Sequence, residues 1–585
     1  MNKLSENEIE SVRSIIREKF AQKSSSDHDR FYGDEEGSHL GEKYIDRDEF
    51  SRDRDRILYS KAFRRLQHKA QVYSNKKGDH YRTRLTHTLE VNQIAKSISK
   101  NLGLNLELTE AIALGHDIGH TPFGHAGEEV LDNIMKGEDD LGGKLNFSID
   151  YGGFKHNMNS IKILEIIEEK GNQNGLNLTW QTLDGILKHT SIIKKKKDKK
   201  WNLKRFVKDF SNYEFIAGYD YYDESSEPKY EFPLTLEGQV VAIADEIAQR
   251  EHDIDDSLRD GEFDSNELYK IIIDRIDDVK RNIDSNWEGY DLFKNFEDEI
   301  NNLYSLKNQL SMKDFFSILI SYFIIDVTKT SLKNIYEYTH DNGLKKFIIF
   351  ENEKKLIIKN FIEFSEVGEK FNDSIKNFIE KRIINSFNVS RFDGKGKYVL
   401  RQLFKAYYEN PRQMPKQQLK LLKKNVSIIL KEYPTLKEEF KDIPISYEEL
   451  IKMVETDDYF ELYDIEEVLD ILKLNFHIDY SKKESYSNAM NEILEVYEEE
   501  VTKLITYQFD INDLAIHIFN KISLRVNKIE KEDIINNYEK DYANILLNFK
   551  GLIELHYVYL SIICDYIAQM TDDYALKEYR NLYLI

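Results

Sequence analysis

The chain is poor in the residues that build disulfide frameworks, zinc-cysteine sites and rigid loops. It contains a single cysteine, Cys564, together with seven prolines and three tryptophans. One thiol excludes an internal disulfide and a cysteine-based zinc site, and it suits a reducing compartment. The scarcity of proline and the abundance of Leu, Ile, Lys and Glu favour helices over sheets. We therefore predict an all-α fold.

Long apolar runs and an excess of positive charge are also missing. The opening MNKLSENEIE lacks the apolar core of a signal peptide, and no run of about 18 apolar residues is evident. The formal charge is −22, from 83 Lys and Arg against 105 Asp and Glu. Such a chain repels polyanions and must receive a phosphate ligand in a local pocket of opposite sign. These features predict a cytoplasmic protein without a membrane partner, and they do not support single-stranded nucleic acid as a partner.

The 585 residues are enough for several domains of about 100–200 residues each. The hydrophobic pattern is strongest between residues 45 and 260. We predict five segments: an N-terminal helix and mobile loop (1–44), a patterned core (45–260), a helical extension (261–433), a helical insertion of unknown role (434–545) and a C-terminal helix that completes the core (546–585).

Two histidines and two carboxylates occupy inward positions on predicted helices. His87 lies four residues before Val91 on the apolar stripe of one helix, and His116 lies four residues after Ile112 on the next. Asp117 follows directly, where glycines end that helix. Each of these side chains is therefore expected to point toward the core.

Asp245 is a carboxylate at a position where an apolar residue is expected. It shares one face of a third helix with apolar residues, and burying a lone ionised carboxylate costs several kcal/mol unless a cation or donor meets it. A single inward His or Asp is as often a satisfied core residue as a ligand. Two imidazoles and two carboxylates that converge from three helices would instead hold a divalent metal.

The chain resembles the HD-domain metal-dependent phosphohydrolases, and within them the deoxyguanosine triphosphate triphosphohydrolases (dGTPases). The motifs that carry the resemblance are RDRDRILYSKAFRRLQHKAQV, GDHYRTRLTHTLEV, GHDIGHTPFGHAGEE, GGFKHNMNS and ADEIAQREHDIDD, followed by GKGKYVLRQLFKAYYENP and DYIAQMTDDYAL. The likeness is dense over residues 45–260 and returns at the two later motifs. It implies an HD-domain helical core with additional helices.

The resemblance implies hydrolysis of dGTP to deoxyguanosine and intact tripolyphosphate. The implied metal ligands are His87, His116, Asp117 and Asp245. The metal would be Mg or Mn, with Co or Fe as alternatives, because a His/Asp site accepts all of them. A homo-oligomer, most often a hexamer in such proteins, is also implied.

A second group of titratable residues follows the metal motif. A histidine oriented by a carboxylate is suited to proton transfer, and Glu128 lies three residues after His125. By resemblance, His125 lies beside the scissile phosphate and Glu128 orients it, while His156 faces the leaving oxygen with Asn157 beside it. The role of His120 is left open between support of these groups and simple structure.

A triphosphate needs cationic donors close by. Five candidates precede the first ligand: Arg64, Arg65, Lys69, Arg82 and Arg84. We expect two of the five to reach the ligand, because most helical arginines are solvated. Arg84 is the first choice, since the matching arginine of the family lies in its active site.

Sugar recognition is expected from Gln71 and Asp253, again by resemblance. At Gln249 many relatives have tyrosine, so this sequence departs from the family where the sugar stacks. A broad-specificity dNTP triphosphohydrolase, with or without nucleotide activation, is an alternative prediction, because the motifs do not separate it from a guanine-specific enzyme. A non-catalytic nucleotide-sensing scaffold is a second alternative, although the intact His125, Glu128 and His156 argue against it.

Overall fold

The computed structural model describes residues 4–23, 30, 48–72, 82–143, 145, 150–170, 173–190, 230–307, 310–341, 347–351, 354–433 and 540–584. Most of the predicted mobile loop before residue 44 and nearly all of the predicted insertion 434–545 lie outside these residues.

Helices dominate the described residues. They are α1 (Glu6–Ile15), α2 (Glu49–Tyr59), α3 (Lys61–Arg65), α4 (Arg84–Leu102), α5 (Leu106–Gly115), α6 (Gly124–Met135), α7 (His156–Lys162), α8 (Trp180–Lys188), α9 (Leu236–Asp260), α10 (Ser265–Arg281), α11 (Tyr290–Lys307), α12 (Met312–Asp341), α13 (Glu366–Phe378), α14 (Phe387–Glu409), α15 (Lys416–Glu432), α16 (Lys540–Ala568) and α17 (Asp572–Tyr583). π-Helical turns extend α1, α7 and α13 over Ile16–Phe20, Ile163–Ile167 and Ile379–Ile384, and 3-10 turns span Leu66–His68 and Pro411–Gln413.

Four short strands form two antiparallel hairpins in the described part of the chain. Strand β1 (Glu169–Lys170) pairs with β2 (Gln173–Asn174), and β3 (Ile348–Glu351) pairs with β4 (Lys354–Ile357). In the longer hairpin Ile348 lies opposite Ile357. The prediction of an all-α fold is confirmed, since these hairpins are minor additions to a helical molecule.

The helices that carry the predicted ligands have well-defined ends. Thr83 caps α4 by accepting from the backbone N–H of Thr86, and Gly103 closes the helix at φ +83°. Asn105 caps α5 by accepting from the N–H groups of Glu107 and Leu108. Such caps fix where each helix starts, and they therefore fix which residues lie one turn apart at the site.

The chain divides into two compact units, each assembled from separate segments. The first comprises Met1–Glu128, Phe154–Tyr398 and Gln569–Leu576, and the second comprises Glu129–Gly153, Val399–Ala568 and Lys577–Ile585. All of the predicted site residues fall in the first unit. The five predicted segments cut the chain at other places and stay a prediction.

The first unit has an extensive apolar core. The predicted stripe of α4 is buried, with Val91 and Ile98 at 0% exposure, and Ile112 of α5 and Trp180 of α8 are also fully enclosed. Burying an aliphatic side chain of this size stabilises the fold by about 1.5–3 kcal/mol. The core therefore holds α4, α5 and α9 as fixed supports for the polar residues at their ends and faces.

One described helix is long and apolar enough to cross a membrane by length and composition. It covers Met312–Thr339, with a mean hydropathy of 1.4 in its most apolar window, and 61% of that window is buried inside the molecule. Asp326 and Lys329 interrupt its apolar residues, so the helix contains no unbroken apolar run of membrane length. Core helices meet the same criteria, so this feature is weak evidence for a membrane.

Candidate metal centre and active site

The four predicted ligands meet in the first unit. His87 comes from α4, His116 and Asp117 directly follow α5, and Asp245 comes from α9. His87 Nε2 lies 2.9 Å from Asp245 Oδ1, and His116 Nε2 lies 3.7 Å from the same oxygen. Asp117 has carboxylate oxygens 3.9 Å from His87 Nε2 and 3.6 Å from His116 Nε2. Three helices therefore converge as the spacing predicts, although the Asp245 side chain is 18% exposed rather than fully buried.

The histidine hydrogen bonds fit a metal site. The Nδ1–H of His116 donates to the carbonyl of Ala113 at 2.7 Å, and its buried Nε2 has no hydrogen-bond partner. A ligating imidazole characteristically donates its other ring N–H in this way, which fixes the tautomer and the ring orientation. His87, His116 and Asp117 also present ligand atoms within 4.8 Å of one another. The residues present therefore fit a divalent cation with imidazole and carboxylate ligands.

The electrostatics of the cluster favour a cation. Burial raises the pKa of the Asp117 carboxyl, but His120 and Arg84 outweigh burial and hold that pKa well below its usual value. Burial lowers the pKa of His116, whereas Asp117 and Asp245 raise it to about 9. A cation bound by the two carboxylates would displace the proton from His116, because metal ligation requires the neutral ring.

Two of the five basic candidates lie at the cluster. Arg84 is 2% exposed and donates through Nη1 to Asp117 Oδ2 at 2.6 Å. Lys69 is also 2% exposed, and its ammonium donates to the carbonyl of His120. Arg82 instead pairs with carboxylates of α9, including Glu251 at 2.9 Å. Arg84 and Lys69 are therefore the two basic residues beside Asp117 and His120. Burial together with Arg65 and Arg84 lowers the pKa of Lys69 to about 7. Their contacts with a phosphate stay a prediction.

A tight turn joins the metal cluster to α6. A Cβ on Gly119 would lie 2.0 Å from the carbonyl oxygen of His156 and 2.3 Å from the backbone nitrogen of Ser160, so only glycine allows this approach to α7. Phe123 and Gly124 have φ +60° and +56°. Gly127 lies inside α6.

A carboxylate of α17 holds this turn. Asp572 Oδ1 accepts from the backbone N–H of Phe123 at 3.0 Å, and Oδ2 accepts from that of Ala70 at 2.8 Å. The Asp572 residue is 9% exposed. One side chain near the end of the chain therefore ties together two segments that flank the site.

Glu128 hydrogen bonds to His156, whereas it was predicted to orient His125, although His125 presents a ring nitrogen within 4.8 Å of the Glu128 carboxylate. Glu128 Oε2 accepts from Nδ1–H of His156 at 2.5 Å and from the backbone N–H of His156 at 3.2 Å. His125 is exposed, with its ring centroid 6.1 Å from that of His156. The Glu128 side chain extends from α6 to α7, because the ring and backbone N–H groups of His156 both donate to it there.

His120 belongs to this cluster as well. Its Nε2 lies 3.1 Å from Asp117 Oδ1, and its ring stacks on that of His156 with centroids 3.8 Å apart. Burial together with Arg84 and His156 holds the pKa of His120 well below its usual value. Of the two roles left open for His120, these contacts favour support of Asp117 and His156.

The predicted sugar-binding residues have different environments. The side-chain carbonyl of Gln71 and one oxygen of Asp253 are buried without a hydrogen-bond partner. Burial, with the charges of Asp256 and Asp245, raises the pKa of Asp253 to about 7. Asn157, predicted to contact the substrate, is fully buried, and its amide donates to the carbonyl of Leu187 at 2.7 Å. That bond ties α7 to α8, and the substrate contact of Asn157 stays a prediction.

Sequence reasoning missed His189, which directly follows α8. Its Nδ1–H donates to the carbonyl of Ile186 at 2.7 Å, and its ring centroid lies 5.1 Å from that of His116. Burial and the neighbouring His116 lower the pKa of His189 to about 3. The signal was present in the sequence, since His116 also directly follows an apolar helix and bonds the carbonyl three residues earlier.

Sequence reasoning also missed the surroundings of His87. Its Nδ1 lies 2.9 Å from Nδ1 of His252, and His252 Nε2 contacts a carboxylate oxygen of Glu90. His252 lies on α9, two turns after Asp245. Burial lowers the pKa of His252 to about 4, so this ring is neutral near pH 7.

Comparison with known proteins agrees with this geometry. Residues 84–250 match the HD domain, and residues 362–427 match a phosphohydrolase-associated domain. The prediction of an HD-domain helical core is thereby confirmed. All four candidate metal ligands fall inside the first match.

Curated relatives from several bacteria carry the name deoxyguanosinetriphosphate triphosphohydrolase-like protein. The relative in Geobacter metallireducens is 36% identical over 369 residues, which is 63% of this chain and 79% of the relative. The relative in Caldanaerobacter subterraneus is 35% identical over 388 residues, or 65% and 78% of the two chains. The relative in Rickettsia felis is 33% identical over 372 residues, or 63% and 82%.

Proposed function

Because the chain belongs to the family of HD-domain deoxyguanosinetriphosphate triphosphohydrolase-like proteins, we propose that it hydrolyses dGTP to deoxyguanosine and tripolyphosphate with a divalent metal cation. In this reaction the bond between the α-phosphorus and the 5′-oxygen breaks. The water oxygen joins phosphorus, and the 5′-oxygen leaves with a proton. The tripolyphosphate remains intact.

The observation that carries the proposal is the convergence of His87, His116, Asp117 and Asp245. His116 is held by Ala113 with a buried, unpartnered Nε2, which supports ligation by this nitrogen. A bound cation would polarise a phosphoryl oxygen and stabilise the charge that develops there. Mg or Mn is the expected metal, with Co or Fe as alternatives.

Residues of the chain would hold the phosphates and the reacting groups. Arg84 and Lys69 bring positive charge to a molecule with a formal charge of −22. His156, oriented by Glu128, presents its buried and unpartnered Nε2 to the cluster. In this proposal Nε2 of His156 faces the leaving oxygen, and the exposed His125 contacts the scissile phosphate.

Sugar recognition would involve Gln71 and Asp253. Each has a buried side-chain oxygen without a hydrogen-bond partner. A ligand hydroxyl that donates to such an oxygen would offset the free-energy cost of burying it. The raised pKa of Asp253, about 7, would let its carboxyl act as donor or acceptor toward a 3′-hydroxyl.

A substrate panel tests the proposal. The purified protein is incubated with each of the four deoxynucleoside triphosphates plus Mn²⁺ or Mg²⁺, and the products are separated by ion-exchange chromatography. We expect deoxyguanosine and tripolyphosphate from dGTP alone. Monophosphate with pyrophosphate, or free phosphate, would contradict the proposed bond cleavage.

The same panel separates the alternatives. Equal turnover of all four substrates would favour the broad-specificity enzyme, for which the glutamine at position 249 is the sequence argument. Activity that depends on an added second nucleotide would favour nucleotide activation. Absence of product with every metal and nucleotide mixture would favour the non-catalytic nucleotide-sensing scaffold.

A histidine pair provides the catalytic control. We expect His125→Ala to lower kcat by about 10²–10⁴, the range for loss of a positioned proton-transfer group, while metal content is unchanged. His68→Ala is the matched control, because His68 is exposed in the 3-10 turn before Lys69. Unchanged turnover in His125→Ala would remove the assigned role.

We further propose a cytoplasmic homo-oligomer, with a hexamer as the expected form by family resemblance. Light scattering coupled to gel filtration would then give six times the 69.2 kDa of one chain. The mass of a single chain at working concentration would contradict the proposed oligomer. It would leave the proposed reaction unaffected.

A further inference from the structure

The ring of His87 is held on the side that faces away from the candidate metal. Its Nε2 faces Asp245 at 2.9 Å, and its Nδ1 lies 2.9 Å from Nδ1 of His252. His87 and His252 are each 1% exposed. Two imidazole nitrogens at this distance in a buried site share a hydrogen, so one ring donates and the other accepts.

The contacts of His252 decide the direction of that hydrogen bond. Its Nε2 contacts a carboxylate oxygen of Glu90 and lies 3.3 Å from a carboxylate oxygen of Glu251. A carboxylate oxygen accepts, so the hydrogen that His252 directs at Glu90 lies on Nε2, and in a ring with one N–H the Nδ1 atom carries the lone pair. With a cation bound beside Asp245, His87 would then donate from Nδ1 to His252 and present the lone pair of Nε2 to the cation. This is the tautomer that a metal requires.

Glu90 is itself held in place. Arg82 Nε lies 3.1 Å from Glu90 Oε2, and Arg82 Nη1 reaches Asp255 at 2.5 Å. These contacts connect α4, which carries Glu90, to α9, which carries His252 and Asp255. The hydrogen-bonded chain from Arg82 through Glu90 and His252 therefore ends at His87.

We infer that His252 is a positioning residue for the metal centre, which sets the tautomer and ring orientation of His87 with Glu90 as its outer partner. The inference rests on the proposed metal site. Removal of the outer hydrogen-bond partner of a ligating histidine typically lowers metal affinity about 10- to 100-fold. A simple packing role for this buried ring would instead affect stability and leave affinity unchanged.

The test measures Mn²⁺ binding by the full chain without nucleotide, from the electron paramagnetic resonance signal of free Mn²⁺. His252→Leu fills similar space but removes both hydrogen-bonding nitrogens. His252→Asn keeps an acceptor oxygen near the position of Nδ1. We expect the Leu variant to bind Mn²⁺ about 10- to 100-fold more weakly than wild type, and the Asn variant to recover most of that loss.

Controls separate positioning from folding. Thermal unfolding in EDTA shows whether each variant folds without metal. His556→Leu removes another buried histidine, in the second unit, and should leave Mn²⁺ affinity unchanged. If His252→Leu does not fold, Mn²⁺ binding is measured with His252→Asn and Glu90→Gln instead. We then expect Glu90→Gln to bind several-fold more weakly, because a neutral amide accepts less strongly than a carboxylate.

Each outcome has a distinct meaning. Wild-type affinity in His252→Leu overturns the inference, and so does an Asn variant as weak as the Leu variant. Where the Leu variant does not fold, wild-type affinity in Glu90→Gln overturns it. If wild type itself binds no Mn²⁺ and hydrolyses no nucleotide, the proposed metal site fails first. Normal Mn²⁺ binding without dGTP hydrolysis would reject the proposed reaction while leaving the role of His252 open to measurement.

Discussion

At the scale of single residues, the site is organised by carboxylates that each serve more than one partner. Asp117 accepts from Arg84 at 2.6 Å and lies 3.1 Å from Nε2 of His120. Glu128 accepts from both the ring and the backbone of His156. Hydrogen bonds to charged groups stabilise by about 1.5–3 kcal/mol, so these carboxylates fix the imidazoles more firmly than packing alone would.

The first residue-scale prediction concerns Glu128→Gln. The neutral amide weakens both hydrogen bonds to His156, so Nε2 of that ring is held less well toward the substrate. We expect kcat for dGTP to fall by about tenfold or more, with KM within a few-fold of wild type. Steady-state kinetics at saturating metal measures both quantities.

Glu129→Gln is the matched control, because Glu129 is the adjacent glutamate and is exposed. It should retain wild-type kcat. Equal losses in the two variants would mean that the pairing of Glu128 with His156 has no catalytic consequence.

At the scale of elements, the turn between α5 and α6 brings the candidate metal ligands and the other histidines together. Gly119 lets the turn pass against α7 within the reach of Ser160, whose hydroxyl accepts from the N–H of Gly119 at 2.9 Å. Asn159 of α7 donates to the Gly119 carbonyl at 2.8 Å. Both backbone groups of this glycine are therefore bonded to α7, which leaves the turn little room to move.

Gly119→Ala tests this close approach. The added Cβ would meet backbone atoms 2.0 and 2.3 Å away, and backbone cannot yield as a flexible side chain does. We expect the free energy of unfolding to fall by about 1–3 kcal/mol or more, the usual range for overpacking, together with loss of dGTP turnover. Thermal denaturation and activity at low temperature measure the two effects.

Gly394→Ala is the comparison variant. Gly394 lies in α14, and a Cβ there would meet nothing within 4 Å. Alanine in a helix should be neutral or stabilise by about 0.5–1 kcal/mol relative to glycine. A Gly119→Ala protein as stable as Gly394→Ala would contradict the packing described here.

Helical periodicity predicted the inward positions of the candidate ligands but not their hydrogen-bond partners. His87, His116 and Asp245 each lie about one helical turn from an apolar residue of the same stripe. Such local spacing can be recognised in a single sequence. The partner of Glu128 lies 28 residues away and that of His87 lies 165 residues away. Those pairings depend on how α6 meets α7 and α4 meets α9. The hydrogen bond from Asn157 to α8 was not predicted for the same reason.

At the scale of the whole molecule, charge is distributed unevenly. The chain carries a formal charge of −22, yet the buried cations Arg84 and Lys69 lie beside Asp117 and His120. Net charge predicts that a phosphate-binding site must be local. It gave no indication of which basic residues are buried, because Arg64, Arg65 and Arg82 lie close to them in sequence and have other partners.

Metal binding should stabilise the first unit. A ligand that binds only the folded chain at about 100 times its Kd raises the free energy of unfolding by about 2.7 kcal/mol. We therefore expect Mn²⁺ to raise Tm and to slow amide exchange near His87, His116 and Asp245. Calorimetry and hydrogen exchange with peptide resolution provide the measurement.

Asp245→Asn serves as the control for metal stabilisation. The amide keeps the shape of the side chain but removes a charge from the site, so most of the Mn²⁺-dependent shift should be lost. The same shift in Asp245→Asn as in wild type would place the stabilising ion elsewhere.

The hydrogen bonds of Asp572 have a consequence for the order in which the protein is made. The turn at Phe123 and the segment at Ala70 emerge from the ribosome long before the carboxylate that joins them. Each nascent chain must wait for about 450 further residues, which take roughly 20–90 s at 5–20 residues per second. During synthesis the candidate metal ligands can therefore meet before the neighbouring turn is tied down.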